Sequence, residues 1–342
     1  MKKLKHNLVT ILFYIVISSG VFYSSAKFHI PWYGANDFSV YHDMIKKPLS
    51  NNSESPYGYR ILTPTIAHFI EKSGIFYKTF NSPFRDEFFE YKNKRYEPNI
   101  LDALIFTNFI LIIFSMFILY KTYEAYYYIE NIKNHNFIFL LMPIGLLLST
   151  STIVHGLNGL TEGGSLFFIS LCCLLIARKN IILFSIIVFL GMLQRELVPL
   201  VVLVYCVFIC KYRFALISLL AFMAYFIFRS FHPLVGFEEQ LSLNAFVQNI
   251  KNLNITKEFF LQVILSNNIV ISLLIIYFFG NMDLKKVKYL LPFTMVFSML
   301  LLISIGTGIG NNAGRILNMA TPILLLAIPR LLSIKAGKLK NY

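Results

Sequence analysis

Long apolar runs are the feature of this chain that most constrains its fold. They recur from Val9 to Leu332, and the longer ones can cover the ~30 Å of hydrocarbon in a bilayer as helices. Hydrophobic residues make up 56% and charged residues 14% of the 342 positions, and the mean hydropathy is +0.63, outside the balance of a soluble domain. Because lipid cannot satisfy backbone polar groups, spanning segments of this kind are helical. We therefore predict an all-α polytopic membrane protein.

The apolar runs predict about ten transmembrane helices in a single integral membrane domain covering residues 1–342. The predicted spans lie near residues 8–26, 100–120, 136–154, 162–177, 180–194, 197–210, 213–229, 258–280, 288–305 and 315–333. The two spans on either side of Arg195 are short and could form one broken or tilted pair. The first span could pass for a signal peptide, but its apolar stretch is longer than a signal core, so we expect a retained helix.

Basic residues predict the orientation. The formal net charge of +14 could suggest a nucleic-acid partner, but the basic residues form short clusters between apolar runs, which excludes that class. The clusters lie in alternate connections, at residues 2–5, 121–133, 178–179, 211–213, 285–288 and 335–340. By the positive-inside rule, these connections and both termini are cytoplasmic. We expect a multi-pass membrane protein with extracytoplasmic loops at 27–99 and 230–257.

The large first loop is predicted to contain its own helices. Residues 61–70 form a short apolar or amphipathic segment, which could be re-entrant. The stretch from Phe76 to Tyr96 is rich in aromatic and charged residues, which favours a helix lying in the headgroup zone. We therefore expect short interfacial helices rather than a linker.

Six ionisable residues at the expected outer ends of the spans are the candidate site. Such groups are costly beside a membrane and are seldom idle. They are Asp37, Arg60, Glu162, Arg195, Glu196 and Arg315. Carboxylates and guanidiniums gathered on one side predict a site for an anionic, phosphate-bearing substrate.

Two segments of the first loop carry a family resemblance. Residues 32–43 are WYGANDFSVYHD and residues 56–64 are PYGYRILTP. An acidic residue just outside the first helix, in an Asp-Phe-x-x-Tyr context followed by Pro-Tyr, resembles the GT-C class of polyprenyl-phosphate-sugar-dependent glycosyltransferases. The bacterial mannosyltransferase-like members, with a Tyr-Arg-x-Leu-x-Pro segment, are the most similar. The motifs cover about these thirty residues and a few later positions.

The resemblance implies that the first-loop carboxylate is the general base that deprotonates an acceptor hydroxyl. Asp37 matches the family position, and Asp43 could replace it. The pair could instead share a divalent metal, although no Asp-x-Asp motif is present and no metal ligand is assigned. The alternative for Asp37 is a helix cap or a solvated loop acid.

The arginines have a phosphate-binding and a structural interpretation. Arg60 follows Tyr59 and could hold the departing lipid phosphate, or it could anchor in the headgroup region together with the tyrosine. Arg195 and Glu196 interrupt apolar sequence and diverge by ~100° on a helix, so we expect different partners for them. An internal ion pair is the alternative to a substrate-binding role.

Two glycine-rich outer turns complete the candidate set. Residues 152–164 contain His155, Asn158 and Glu162. The glycines of this turn would let the backbone approach a ligand closely. A plain turn with a capping acid is the alternative, and His155 could be structural. Residues 306–315 end at Arg315, whose guanidinium and neighbouring N–H groups would suit phosphate, but no P-loop Lys-Ser/Thr follows.

Together with these observations, the resemblance implies a glycosyltransferase of the bacterial cell inner membrane that serves cell-envelope polysaccharide or glycoconjugate synthesis. Its partners would be a polyprenyl-phosphate sugar donor, a glycan or lipid acceptor, and membrane lipids. One alternative is an O-antigen or capsule polysaccharide polymerase, although the large first loop favours the transferase. The other is a lipid-linked glycan flippase or transporter, which would place polar residues through the midplane.

Overall fold

The structure is a computed structural model in which the described residues are almost entirely helical. They are residues 2–28, 35–46, 60–74, 90–91, 94–126, 136–149, 151–153, 161–231, 243–251, 257–265, 288–306 and 313–331. The N-terminal half contains α1 (Lys2–Phe28), α2 (Ala35–Lys46), α3 (Leu62–Lys72), β1 (Glu90–Tyr91), β2 (Lys94–Arg95), α4 (Pro98–Tyr126), α5 (Asn136–Leu141) and α6 (Ile144–Leu147).

The C-terminal half is built from shorter apolar helices. It contains α7 (Glu162–Ala177), α8 (Ile181–Gln194), α9 (Leu197–Phe208), α10 (Tyr212–Phe231), α11 (Leu243–Lys251), α12 (Lys257–Leu265), α13 (Leu291–Gly306), α14 (Ala313–Leu317), a 3₁₀ turn (Asn318–Ala320) and α15 (Thr321–Leu331). The helical fold class is therefore confirmed for the described residues.

Three helical segments are long and apolar enough to cross a membrane. They are Leu4–Ser24, Asn99–Tyr126 and Lys288–Gly306. By contrast, α7, α8 and α9 have 16, 14 and 12 residues. At 1.5 Å per residue they extend about 24, 21 and 18 Å, short of a ~30 Å hydrocarbon core.

Helix α4 is the central helix of the described bundle. In the most apolar stretch of α4, 78% of the residues are buried inside the protein, compared with 22% for α1 and 28% for the segment containing α13. It begins at Pro98, a residue whose missing N–H costs nothing at the first helical position. Its most extensive partner is α7, which packs along it.

Two apolar cores lie along α4. The larger one surrounds its middle and C-terminal part, including Ile112 and Met116, and brings in side chains of α7, α9, α13 and α15. The smaller one packs α2 and α3 onto the first turns of α4, with Phe38 and Ala67 against Ile100 to Ile105. The first-loop helices therefore cover the N-terminal end of the central helix.

Local signals explain where the short helices end. Lys179 has a φ of 56°, the left-handed conformation that ends many helices, and the Asn180 side chain then caps α8 by accepting from the Leu183 N–H at 3.1 Å. The break between α8 and α9 has another cause. Pro199 cannot donate to the Arg195 carbonyl and would clash with it in a continued helix, so Arg195 is extended, with φ −164° and ψ 131°.

The outer faces of several helices carry large apolar side chains. On α8, Ile182 and Ile186 are 76% and 54% exposed, and α1 and α10 expose similar rows. Contiguous apolar surface of this kind is unusual for a protein in water and is expected where helices face lipid. The exposed rows thus support a membrane protein.

Two expectations about secondary structure were wrong in detail. The predicted span 136–154 is interrupted after Leu141, because Pro143 cannot continue the helix and α6 restarts at Ile144. The predicted helix over 76–96 does not continue through its last residues. There, Glu90 pairs with Arg95 and Tyr91 with Lys94 in an antiparallel ladder, while residues 75–89 lie outside the described part of the chain.

Candidate functional site

The break between α8 and α9 is the centre of the candidate site. Three consecutive polar residues, Gln194, Arg195 and Glu196, lie there between two apolar helices. Gln194 and Arg195 are 1% and 4% exposed. Burying such groups is tolerated only when each finds partners, and the three find theirs in the first loop and at the start of α7.

Gln194 ties the first loop to the start of α7. Its Oε1 accepts from the Thr63 N–H at 3.1 Å and from the Thr63 hydroxyl at 2.8 Å, and its Nε2 donates to the Thr161 carbonyl at 2.9 Å. The Ile61 N–H also donates to the Leu193 carbonyl at 3.1 Å. The first turn of α3 is therefore fixed at the α8–α9 break.

Glu196 binds Arg60 through two hydrogen bonds. Arg60 Nη2 donates to Glu196 Oε1 at 2.7 Å and Nε donates to Oε2 at 3.3 Å, the forked geometry that guanidinium and carboxylate favour. Burial by itself would raise the pKa of the Glu196 carboxyl, but the Arg60 guanidinium outweighs it and holds that pKa below its ordinary range. The pair is therefore charged and joins the first loop to the break.

Glu162 joins two other arginines. It is the first residue of α7 and is 2% exposed. Its Oε1 accepts from Arg315 Nε at 2.6 Å and from Arg195 Nη1 at 3.4 Å. The prediction that Arg195 and Glu196 have different partners is confirmed, because Arg195 pairs with Glu162 and Glu196 with Arg60.

Together these five side chains form what we call the charge network: Arg60, Glu162, Arg195, Glu196 and Arg315. Three guanidiniums meet two carboxylates, so the network itself carries one excess positive charge. Arg195 Nε is buried and has no hydrogen-bond partner among the described residues. Buried donors are rarely left unused, so this N–H is a place where a further acceptor can bind.

The charge network is recessed along the central helix. Asn108 Oδ1 accepts from the Gly163 N–H at 3.0 Å, which sets the start of α7 beside Asn108. Asn108 is ten residues beyond Pro98, so this level is about 15 Å below the N-terminal end of α4. Helices α2 and α3 pack against Ile100 to Ile105 within that stretch, so the network lies beneath the first-loop helices.

Two glycines allow this close packing. A Cβ on Gly163 would come within 2.7 Å of Asn108 Oδ1, and one on Gly164 within 2.6 Å of Thr63 Oγ1. The glycines at the start of α7 were expected to let backbone approach a ligand. In the structure they let α7 approach α4 and α3, which is what brings Glu162 to the arginines.

The remaining predicted site residues lie in α2 or outside the described residues. Asp37 is in the first turn of α2, and its side chain is not among those described. The Asp43 side chain is 54% exposed and lies 3.2 Å from His42 Nδ1. Tyr59, His155 and Asn158 lie outside the described residues.

Several residues at the site were not predicted from sequence. Asn108 and Thr63 position the network, and Tyr41 on α2 lies 3.3 Å from Thr161 through their hydroxyls. Asp102 on α4 is only 3% exposed. The sequence could have indicated Asn108 and Asp102 as site residues, since each is a polar residue within a predicted span or at its start.

Metal ligands were left open by the sequence. Within the part of the chain that the structure describes, no three His, Cys, Asp or Glu side chains are grouped closely enough to hold a metal ion. Three of the four cysteines are buried, and Cys210 is exposed.

The chain matches no family model, no curated protein and no solved structure.

Proposed function

We propose that this chain is an integral membrane glycosyltransferase that moves a sugar from a polyprenyl-phosphate donor to a glycan or lipid acceptor. The observation that carries the proposal is the buried charge network beneath α2 and α3. A lipid-linked donor needs a cationic site that its phosphate can reach while its tail stays in the bilayer. Three guanidiniums in a lipid-exposed helical bundle suit that requirement.

The excess charge of the network supports an anionic ligand. Arg195 lies near Arg60 and Arg315 as well as Glu162, and it keeps a buried N–H available. A phosphate oxygen there would complete the hydrogen bonding of Arg195 and balance the third guanidinium.

The resemblance of the first loop to the GT-C class adds a base, Asp37, on the helix above the network. The sugar hydroxyl is a weak nucleophile, and a carboxylate assists its attack as the donor C1–O bond breaks.

The same proposal includes ten transmembrane helices, cytoplasmic termini and an extracytoplasmic site in the cell inner membrane. The basic clusters between apolar runs support this orientation. Helices α8 and α9 then form a short pair whose polar tip is the α8–α9 break.

The test is transfer by the purified protein in liposomes that contain polyprenyl-phosphate-linked sugars and an acceptor glycan. We expect Arg195→Lys to lose roughly 10²-fold or more of transfer, because a lysine ammonium cannot keep the bond to Glu162 and also direct an N–H at phosphate from the position of Nε. Arg178→Lys is the matched control, since Arg178 is exposed in the α7–α8 turn, and it should keep full transfer.

Full transfer by Arg195→Lys would remove the phosphate-binding role and leave the internal ion pair as the explanation of the network. Absence of transfer with every lipid-linked donor, from protein whose thermal unfolding is that of an intact fold, would refute the transferase itself.

A further inference from the structure

Helix α2 carries Asp37 and is attached to the start of α4 by a buried histidine. His42 is 1% exposed. Its Nε2 accepts from the Glu97 backbone N–H at 3.2 Å, and its Nδ1 lies 3.2 Å from Asp43 Oδ1. Because a backbone N–H can only donate, Nε2 must carry no proton. The ring is therefore neutral, and its one proton, on Nδ1, is donated to Asp43.

Aromatic rings enclose the imidazole. The Tyr96 ring meets it edge-on at 4.9 Å between centroids, and the Phe38 ring lies 5.8 Å away. A second proton, on Nε2, would point at the Glu97 N–H and set donor against donor in these apolar surroundings. Protonation of His42 and docking of α2 are therefore incompatible.

The titratable groups around His42 belong to three segments, α2, the residue before α4, and α3. Asp43 and Lys46 are on α2, and Glu97, which binds Lys46 Nζ at 2.5 Å, precedes α4. Burial lowers the pKa of His42 below its ordinary value of 6.5, Lys46 acts in the same direction, and Asp43 and Glu97 oppose them. On α3, His68 Nδ1 donates to the Ile45 carbonyl at 2.6 Å, a bond that a protonated ring would keep. His42 alone of these two histidines loses a contact on protonation.

We propose that His42 is a positioning residue whose neutral ring latches α2 to the start of α4 and whose protonation releases the helix. Its effect on catalysis rests on the proposed function, because α2 carries Asp37; the latch itself does not. The released state binds one more proton, so the latch is complete above about pH 6.5 and weakens as the pH falls below it. The ratio of docked to released helix changes up to tenfold per pH unit in that window.

Thiol labelling tests the latch without reference to transfer. Met44 on α2 is 4% exposed, so a Met44→Cys thiol reports release, in a Cys210→Ser background that removes the exposed native thiol. Rates are divided by those of Ser73→Cys, an exposed position on the neighbouring α3 turn, which cancels the pH dependence of the thiol itself. We expect this ratio to rise roughly tenfold or more between pH 7.5 and pH 5.0.

Two variants fix the assignment to His42. His42→Gln keeps a side-chain acceptor that cannot be protonated, so its ratio should be flat with pH. Lys46→Gln, at an exposed position, removes a charge that disfavours protonation of the docked ring, so the docked and released pKa values of His42 lie closer together and the rise should be smaller. A flat ratio in the parent protein overturns the latch, as does an unchanged rise in His42→Gln or an undiminished rise in Lys46→Gln. Labelling that rises as expected while transfer stays level with pH would keep the latch and remove Asp37 from the proposed reaction.

Discussion

At the scale of single residues, the pairing of charges decides what the site can do. Glu162 holds Arg195 and Arg315, and Glu196 holds Arg60, so the carboxylates of the network orient guanidiniums. Neither of them is placed to take a proton from a hydroxyl, since both are committed to arginine. In the proposed transfer, the base would therefore come from elsewhere, and the first loop contains the two candidate carboxylates, Asp37 and Asp43.

Asp37 is the base that we expect, and Asp43 is its matched control. Asp37→Asn should lose roughly 10²-fold or more of transfer while the protein still inserts and binds donor lipid, because only the proton acceptor is removed. Asp43→Asn should keep transfer when measured at pH 7.5, above the window in which His42 titrates. Loss in Asp43→Asn with retention in Asp37→Asn would exchange the roles, and retention in both would refute general-base catalysis by this loop.

The members of the charge network could be predicted from the sequence, but their pairing could not. Arg195 and Glu196 stand out because they interrupt apolar runs, and Arg60, Glu162 and Arg315 adjoin such runs. Which carboxylate meets which guanidinium depends on packing between segments 33 to 153 residues apart. Sequence spacing carries no information about that register.

At the scale of elements, α3 is attached to the rest of the protein by hydrogen bonds at its first turn as well as by apolar packing along its length. Thr63 donates both its N–H and its hydroxyl to Gln194, whereas the Thr65 hydroxyl donates only to the Ile61 carbonyl one turn back. This difference makes the two threonines a matched pair for testing how the first loop is attached.

Thr63→Val should lower the free energy of unfolding by roughly 1–3 kcal/mol, because it leaves a buried amide oxygen with one bond fewer. Thr65→Val should change it by less than about 0.5 kcal/mol, since a hydroxyl bonded within its own helix contributes little. Thermal unfolding of the purified variants in detergent measures both. Equal losses would mean that Gln194 does not anchor α3.

Elements were predicted where local signals were strong. The bounds of α7, α8 and α9 follow the sequence closely, because Asn180 and Pro199 mark the turns. The predicted span 136–154 was wrong at Pro143. Proline is a local stop signal for a helix, but the apolar run continues on both sides of it, so the run was interpreted as one span. The ladder that pairs Glu90 with Arg95 and Tyr91 with Lys94 lies in a charged and aromatic stretch, whose composition alone suggested a helix.

At the scale of the whole molecule, the two ends of the bundle differ in chemistry. At one end, the charge network lies beneath α2 and α3. At the other, His6 near the start of α1 contacts the Tyr120 hydroxyl at 2.9 Å near the end of α4. The start of α1 therefore lies at the end opposite to the first-loop helices, as the predicted orientation requires.

Cysteine labelling of intact cells tests that orientation in the membrane. A cysteine at position 52, in the first loop, should react with an impermeant reagent, while one at position 340, near the C-terminus, should react only after the membrane is opened. The Cys210→Ser background serves here as well. Labelling at 340 but not at 52 would reverse the orientation and refute the donor hypothesis with it.

In a membrane, the lengths of α8 and α9 matter to the surrounding lipid as well as to the protein. They are about 9 and 12 Å shorter than a ~30 Å hydrocarbon core, and Ile182 and Ile186 on α8 are exposed. In the proposed membrane arrangement, lipids beside α8 would thin or tilt to match it, at a modest elastic cost. Thinning of this kind would bring headgroups closer to the depth of the α8–α9 break, so that the deformed bilayer would form part of the approach to the proposed site.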